Sequence, residues 1–294
     1  MIERFSANWL ALREPFDHAA RSARLGRRLA ALLPRRPRLV DLAGGTGSLF
    51  RSLAPVIGRG QDWTLIDTDV GLLDEAFGRT AAWARRQGFA ATASGDELLV
   101  STPRGLWRLR VVACDLGKTA AIFGKTALGA AEMYGADAII CSALLDLVSG
   151  GWLERLCAML TVPFLACLTV DGRDVWRPSH PFDAVVHSAY RGDMRRDKGF
   201  GPALGTAAPT ALLRAFAVRG FTTSSAPSDW RIPRGALRMQ QALIDATADA
   251  ARTARPAHAS IIAVWQEARL RHALRGRLAT TIGHRDILAL PGGE

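Results

Sequence analysis

The chain has 294 residues, 49% of them hydrophobic, with 38 basic against 27 acidic side chains and a formal charge of +11. That apolar fraction excludes a disordered chain and supplies a sizeable core, while the length allows one large domain or two small ones. No apolar run reaches the ~18 uncharged residues of a membrane span, and the N-terminus lacks the basic-then-apolar pattern of a secretion signal. Cys114, Cys141, Cys157 and Cys167 lie inside apolar runs without Cys-x-x-Cys or Cys/His spacing. They read as free thiols of a cytoplasmic protein, and no metal site is expected. The charge invites a nucleic-acid partner. It is discounted because all the basic residues except Lys118, Lys125 and Lys198 are arginines in an alanine-rich chain, scattered apart from Arg35–Arg38 and Arg191–Lys198.

Residues 1–37 precede the first strand. Asp17 is placed to cap a helix running to about Leu33, with Leu25, Leu29, Leu32 and Leu33 on its apolar side and Pro34 ending it. A short strand, Arg38 to Leu42, carries Asp41 and breaks into Ala43-Gly44-Gly45-Thr46-Gly47. A helix from Ser48 to about Val56 follows, so the unit reads strand, tight loop, helix. Glycines admit positive φ and let a ligand reach bare backbone. Loop amides at a helix N-terminus favour a polar or anionic group. Twenty residues after Gly47, Asp67 ends a second strand, Trp63 to Ile66, at the spacing from which a carboxylate meets ribose hydroxyls. Asp69 is the expected N-cap of a helix from Val70 to about Gln87.

Glu97–Ser101 and Leu106–Val112, joined by Thr102-Pro103-Arg104-Gly105, predict a β-hairpin that leads into Cys114-Asp115-Leu116. Strand four is Ala136–Ser142, apolar on both faces as a central parallel strand requires. Asp146 lies in the following loop, and a helix runs from Gly151 to about Leu160. Strand five is Pro163–Val170. Short apolar strands alternating with helices across 39–170 predict a doubly wound parallel sheet. Asp41, Asp67, Asp115 and Ser142 all fall at strand carboxyl ends, where such sheets bind ligands. Residues 171–205 read as inserted, non-core sequence, with mixed charges beside Trp176, Tyr190 and Phe200 that suit a polar small molecule. A helix from about Pro209 to Arg219 ends at Gly220. A strand and loop follow at Phe221–Ile232, then helices at Arg234–Thr253 and Ala257–Leu274, and a last strand at Thr280–Leu290.

Two ligand classes fit the glycine loop. A dinucleotide site requires G-x-G-x-x-G/A, but Phe50 stands where the third small residue belongs, and an acid, Asp41, precedes the glycines. The acid-x-small-x-Gly-x-Gly order resembles the nucleoside loop of class I S-adenosylmethionine (SAM) methyltransferases, with Ala43 where that family usually has Gly. The resemblance implies a three-layer αβα Rossmann-like fold with a seven-stranded, mainly parallel sheet. It divides the chain into a helical cap (1–37), a cofactor core (38–170) and acceptor-side additions (171–294), with antiparallel strands near 221 and 287 closing the sheet and paired helices inserted between them. It further implies SAM as cofactor and S-adenosylhomocysteine as product. Asp41, Ala43, Gly44, Gly45, Gly47, Asp67 and Thr68 would hold the cofactor, Asp115 and Leu116 its adenine, and Cys141 and Ser142 would line the pocket.

The expected reaction is in-line methyl transfer to a small-molecule acceptor, in which the protein mainly aligns the nucleophile and excludes water. Arg21, Asp146, Arg191, Arg195 and Phe200 are candidates for acceptor binding, with Asp17 and His18 also on the cap. A hydroxyl or protonated amine acceptor needs a base, for which His180, Asp183 and His187 are the candidates. No Asn/Asp-Pro-Pro-Tyr/Phe motif and no Pro-Cys nucleophile are present, which favours a small acceptor. The alternatives are an RNA-directed methyltransferase, supported by charge alone, and a non-catalytic SAM- or nucleoside-binding module. A Rossmann dehydrogenase is disfavoured by Phe50.

Overall fold

The computed structural model describes residues 5–118 and 135–292. In chain order its elements are α1 (Ala7–Ala20), α2 (Ala23–Leu32), β1 (Arg38–Leu42), α3 (Ser48–Ile57), β2 (Gln61–Asp67) and α4 (Val70–Arg86). Next come β3 (Ala90–Ser94), β4 (Glu97–Thr102), β5 (Gly105–Ala113), β6 (Ala138–Ser142), α5 (Gly150–Met159) and β7 (Phe164–Arg177). The chain ends with α6 (Asp183–Met194), α7 (Ala208–Ala217), β8 (Thr222–Pro227), β9 (Trp230–Ile232), α8 (Leu237–Ala254), α9 (Ala259–Leu274) and β10 (Ala279–Leu290).

The layering follows from how β1 divides its side chains. Leu39 enters one apolar cluster, whereas Val40 and Leu42 enter another on the opposite face. Period-two alternation on a strand covered on both sides produces this split. The first cluster takes Leu25 and Leu29 from α2, Phe50 and Leu53 from α3, and Leu73 and Ala76 from α4. The second takes Trp152 and Leu156 from α5 and Leu212 and Phe216 from α7. The result is the expected three-layer αβα arrangement.

The sheet order is β3-β4-β5-β2-β1-β6-β7-β10-β8, with β9 pairing β10. Strands β5, β2, β1, β6 and β7 are parallel neighbours, and β10 runs antiparallel to both β7 and β8. From β1 the chain moves outward to β2 and β5, then returns to the other side at β6. The switch in strand order therefore lies between β1 and β6, where such sheets open a crevice. The described sheet has ten strands rather than seven. The additions are β3 and β4, which extend the β5 edge as an antiparallel meander, and the short β9. The hairpin was legible, but β3 was not, because Ala90-Ala91-Thr92-Ala93-Ser94 lies largely exposed and shows no apolar alternation.

Two further expectations need correction. The N-terminal region is two helices, not one capped by Asp17. Ser6 accepts from the Trp9 amide (3.1 Å) to cap α1, and Ser22 accepts from the Leu25 amide (3.3 Å) to cap α2. Asp17 lies inside α1, and Pro15 is tolerated there: Glu14 binds Arg51 of α3 through two contacts (2.6 and 2.7 Å), anchoring the helix against the one backbone hydrogen bond that proline removes. Residues 171–205 are also not merely inserted. Strand β7 continues to Arg177, paired to Ala279 of β10. Helix α6 joins β9, α8 and α9 in a third apolar cluster containing Trp176, Val186, Trp230, Ile244 and Trp265, against which Trp9, Leu12 and Phe16 of α1 pack. Among the described residues no helix is long and apolar enough to cross a membrane, and no group of side chains is arranged to hold a metal ion.

Candidate functional site

The loop after β1 is shaped by its own backbone. The Gly44 amide donates to the Ile66 carbonyl (3.1 Å), the Gly47 amide to the Gly44 carbonyl (2.9 Å), and the Gly45 amide to Asp67 Oδ2 (2.9 Å). These amides are thus occupied within the protein, and the expected anion cradle does not rest on them. Ala43, Gly45 and Gly47 take φ values of 57°, 50° and 81°. Ala43 carries the cost of the left-handed region, about 1–2 kcal/mol. Gly44 is needed for a different reason: a Cβ there would lie 2.7 Å from Leu65 Cγ.

At the carboxyl ends of β1, β2 and β6 a cavity of about 460 Å³ opens, a size that suits a nucleoside-scale ligand. Asp41, Ala43, Gly44, Gly45, Asp67, Thr68, Asp115, Leu116 and Ser142 line it, joined by Arg13, Asp17 and Arg21 of the cap and by Phe200. Asp41 is 1% exposed, and neither of its carboxylate oxygens has a hydrogen-bond partner. Burial pushes its pKa up to about 8; Arg21 opposes the rise and Asp67 adds to it. Arg21 donates to Ser142 Oγ (3.1 Å) and Ser48 Oγ (3.3 Å), but its Nε is buried without a partner. Asp67 accepts from the Gly45 and Asp69 amides (2.9 and 3.0 Å); burial nevertheless raises its pKa. Asp115 Oδ1 accepts from the Gly117 amide (2.9 Å), and the Leu116 carbonyl accepts from Trp152 Nε1 (2.7 Å). Asp69 caps α4 through the Leu72 amide (3.2 Å), as expected.

A second cavity, of about 500 Å³, adjoins the first: Phe5, Arg13, Ala143, Leu147 and Lys198 line both. Its walls combine Trp9, Val170, Tyr190, Trp230 and Ile282 with Asp146, Asp174, Arg191 and His284. Several of its charges are matched. Arg13 pairs with Asp17 (3.0 Å), Arg173 with Asp229 (2.7 Å) and Lys198 with Asp193 (2.9 Å). Asp174 accepts from Trp176 Nε1, and burial raises its pKa to about 6.

The structure thus brings most of the expected cofactor residues to one cavity, but not all. Gly47 caps α3 without lining it, and Cys141, 1% exposed, packs in the core cluster with Val40 and Trp152. Of the acceptor candidates, Arg21 and Phe200 line the first cavity, Asp146 and Arg191 the second, and Arg195, exposed at the end of α6, neither. His18 lines neither; its Nε2 lies 3.1 Å from the Ser48 carbonyl oxygen.

None of the three candidate bases lines either of these two cavities. Asp183 accepts from Trp265 Nε1 (2.7 Å), the His180 amide (2.8 Å) and the fully buried Arg269. His180 Nδ1 accepts from the Phe182 amide (3.2 Å), a local turn contact. His187 is enclosed between Trp176 and Trp265, its Nδ1 3.5 Å from Asp174, and burial lowers its pKa to about 4. Sequence reasoning missed Arg13, Trp230 and His284. For His284 the signal was period two in the last strand, which puts Ile282 and His284 on one face.

No protein-family model and no curated protein matches the sequence. Solved structures do resemble it. A protein of Anaeromyxobacter dehalogenans, described as a type II methyltransferase, is 18% identical and covers 92% of this chain and 97% of its own, with a TM-score of 0.48. A cyclopropane-fatty-acyl-phospholipid synthase-like protein of Lactobacillus casei is 14% identical over 97% and 94%, with a TM-score of 0.48. A SAM-dependent methyltransferase of Thiobacillus denitrificans, in complex with S-adenosylhomocysteine, is 14% identical over 98% and 100%, with a TM-score of 0.44.

Proposed function

We propose that the protein is a class I SAM-dependent methyltransferase that binds its cofactor in the first cavity and a polar small-molecule acceptor in the second. One observation carries this reading. Asp41 and Arg21 line the same cavity with buried polar atoms that lack partners, Oδ1 and Oδ2 on one and Nε on the other. Burying a carboxylate without a partner costs several kcal/mol, and a ligand with a complementary charge removes that cost. An acid and an arginine side by side suit a zwitterionic amino-acid group, which is one end of SAM. Asp67, at the end of β2, and Asp115, just beyond the end of β5, supply acceptors for the hydroxyls and exocyclic amine of an adenosyl group. The residues present therefore fit SAM.

When bound, SAM supplies a methyl group on a sulfonium, a good leaving group. The chain's own part is to orient and to exclude water. Asp41 and Arg21 would hold the amino-acid end, Asp67 the ribose, and Asp115 with Leu116 the base. Phe5, Arg13, Leu147 and Lys198, common to both cavities, would shield the junction where an acceptor meets the methyl group. Phe50 argues against a dinucleotide. Its ring packs edge-on to Trp63 at 5.2 Å, filling the space that a third small residue leaves for close helix packing. Calorimetry with SAM, S-adenosylhomocysteine and NAD tests the reading: the first two are expected to bind and NAD is not. Binding of NAD, or of none of the three, would overturn it.

A further inference from the structure

Resting on the methyltransferase reading, we propose that His284 is the general base and that the acceptor is a protic nucleophile, a hydroxyl or amine that loses a proton as it is methylated. His284 stands in β10 and lines the second cavity together with Ile282. Its Nδ1 lies 3.0 Å from the Ile282 carbonyl oxygen. A carbonyl only accepts, so Nδ1 carries the hydrogen and Nε2 keeps its lone pair. Trp230 flanks the ring at 5.0 Å. Trp230 is itself pinned, donating from Nε1 to Asp17 (2.9 Å) with the Arg13 guanidinium 4.8 Å over its face. Asp17 and Arg13 line the cofactor cavity, so the imidazole stands behind one aromatic side chain from it.

The charged groups around the ring come from three sides. Arg13 and Asp17 belong to α1, Asp171 and Arg173 to β7, and Asp229 to the turn before β9; Asp229 accepts from the His284 amide (3.3 Å) and Arg173 donates to its carbonyl (3.5 Å). Burial dominates, Arg13 opposes the imidazolium and Asp17 and Asp171 favour it, which leaves the ring neutral at pH 7 with a pKa of about 4. A neutral imidazole can take a proton. Two neighbouring acids are occupied: Asp174 by Trp176, and Asp193 by Arg196 and Lys198.

The step balances. The acceptor's lone pair forms the new bond to the methyl carbon, and the carbon–sulfur pair stays on sulfur as S-adenosylhomocysteine forms. The acceptor's proton passes to Nε2, and the buried imidazolium returns it to solvent.

The test compares transfer from SAM to phenol, which must lose a proton as it is methylated, with transfer to iodide, which has none. The variant is His284→Asn, whose amide can still donate to the Ile282 carbonyl but offers no basic nitrogen. Transfer to phenol is expected to fall at least ~100-fold more than transfer to iodide. Equal losses with both kinds of probe, or a selective loss in Asp146→Asn instead, would overturn the proposal. Ring ¹⁵N NMR of the unliganded wild-type protein gives an independent reading and decides the matter if no probe is methylated. It is expected to show a hydrogen on Nδ1 and a bare Nε2 at pH 7; a hydrogen on Nε2 overturns the assignment. Failure of the wild type to bind SAM would instead strike the methyltransferase reading.

Discussion

Two sets of buried carboxylates in this molecule are treated in opposite ways. Around β1 and β2, Asp41 and Arg21 hold buried polar atoms with no partner inside the protein. On the acceptor side, Asp183 gathers Trp265, Arg269 and the His180 amide, and Asp17 gathers Arg13 and Trp230. Satisfied groups rigidify a wall, whereas unsatisfied ones cost stability until a ligand supplies the missing partner. The contrast separates Asp41, a carboxylate that awaits a partner, from Asp183 and Asp17, whose partners already hold their surroundings together.

The sharpest way to break this contrast is to remove a partner from the satisfied half. Asp183→Ala leaves the guanidinium of Arg269, 0% exposed, without its carboxylate. The expected cost is about 3–5 kcal/mol in urea unfolding, with SAM affinity retained while the protein stays folded. A loss below about 1 kcal/mol, or a selective loss of turnover, would return Asp183 to the list of catalytic candidates. The complementary change in the other half is Asp67→Ala. It is expected to weaken SAM by about 1.5–3 kcal/mol in calorimetry, the worth of hydrogen bonds to a charged acceptor. Unchanged affinity would show that the ribose contact lies elsewhere.

The same division explains what could be read from the chain. The cofactor half is local: two paired strands, one loop and one helix bring Asp41 and Asp67 together, so strand ends and spacing located them. Cys141 failed because four of the five residues of β6 are buried and only Ser142 emerges at its end. The acceptor half is built from distant pairs, Asp17 with Trp230 across 213 positions and Asp183 with Arg269 across 86. Nothing in local pattern announces such partners. Histidines in a polar segment therefore looked catalytic when they were packed or turn-forming, and the one facing a cavity sat unremarked in an apolar strand.

Asp41 adds a pH signature. Its folded pKa, about 8, stands above the unfolded value of 3.8. The folded state therefore binds the extra proton between these values, and the associated stability is present below pH 4 and lost as pH rises toward 8. Relative to Asp41→Asn, the wild type is expected to lose about 1.4 kcal/mol per pH unit across that window. Unfolding curves of the two proteins at pH 5, 6, 7 and 8 would show it, and parallel stabilities would mean that Asp41 is already paired. The asparagine variant is also expected to bind SAM more weakly, since it cannot supply the charge.

The smallest effect is expected at His180, and its size is what discriminates. The ring is partly exposed and accepts from the Phe182 amide at 3.2 Å within a turn, while its own amide donates to Asp183 at 2.8 Å through backbone that any residue retains. His180→Ala therefore removes one solvent-accessible hydrogen bond and leaves the Asp183 cluster intact. It should cost no more than about 1 kcal/mol of stability and leave SAM affinity and methyl transfer near wild type. A catalytic His180 would instead leave stability nearly untouched while removing transfer to protic acceptors, which would place the proton acceptor in the turn before α6 and detach His284 from the chemistry.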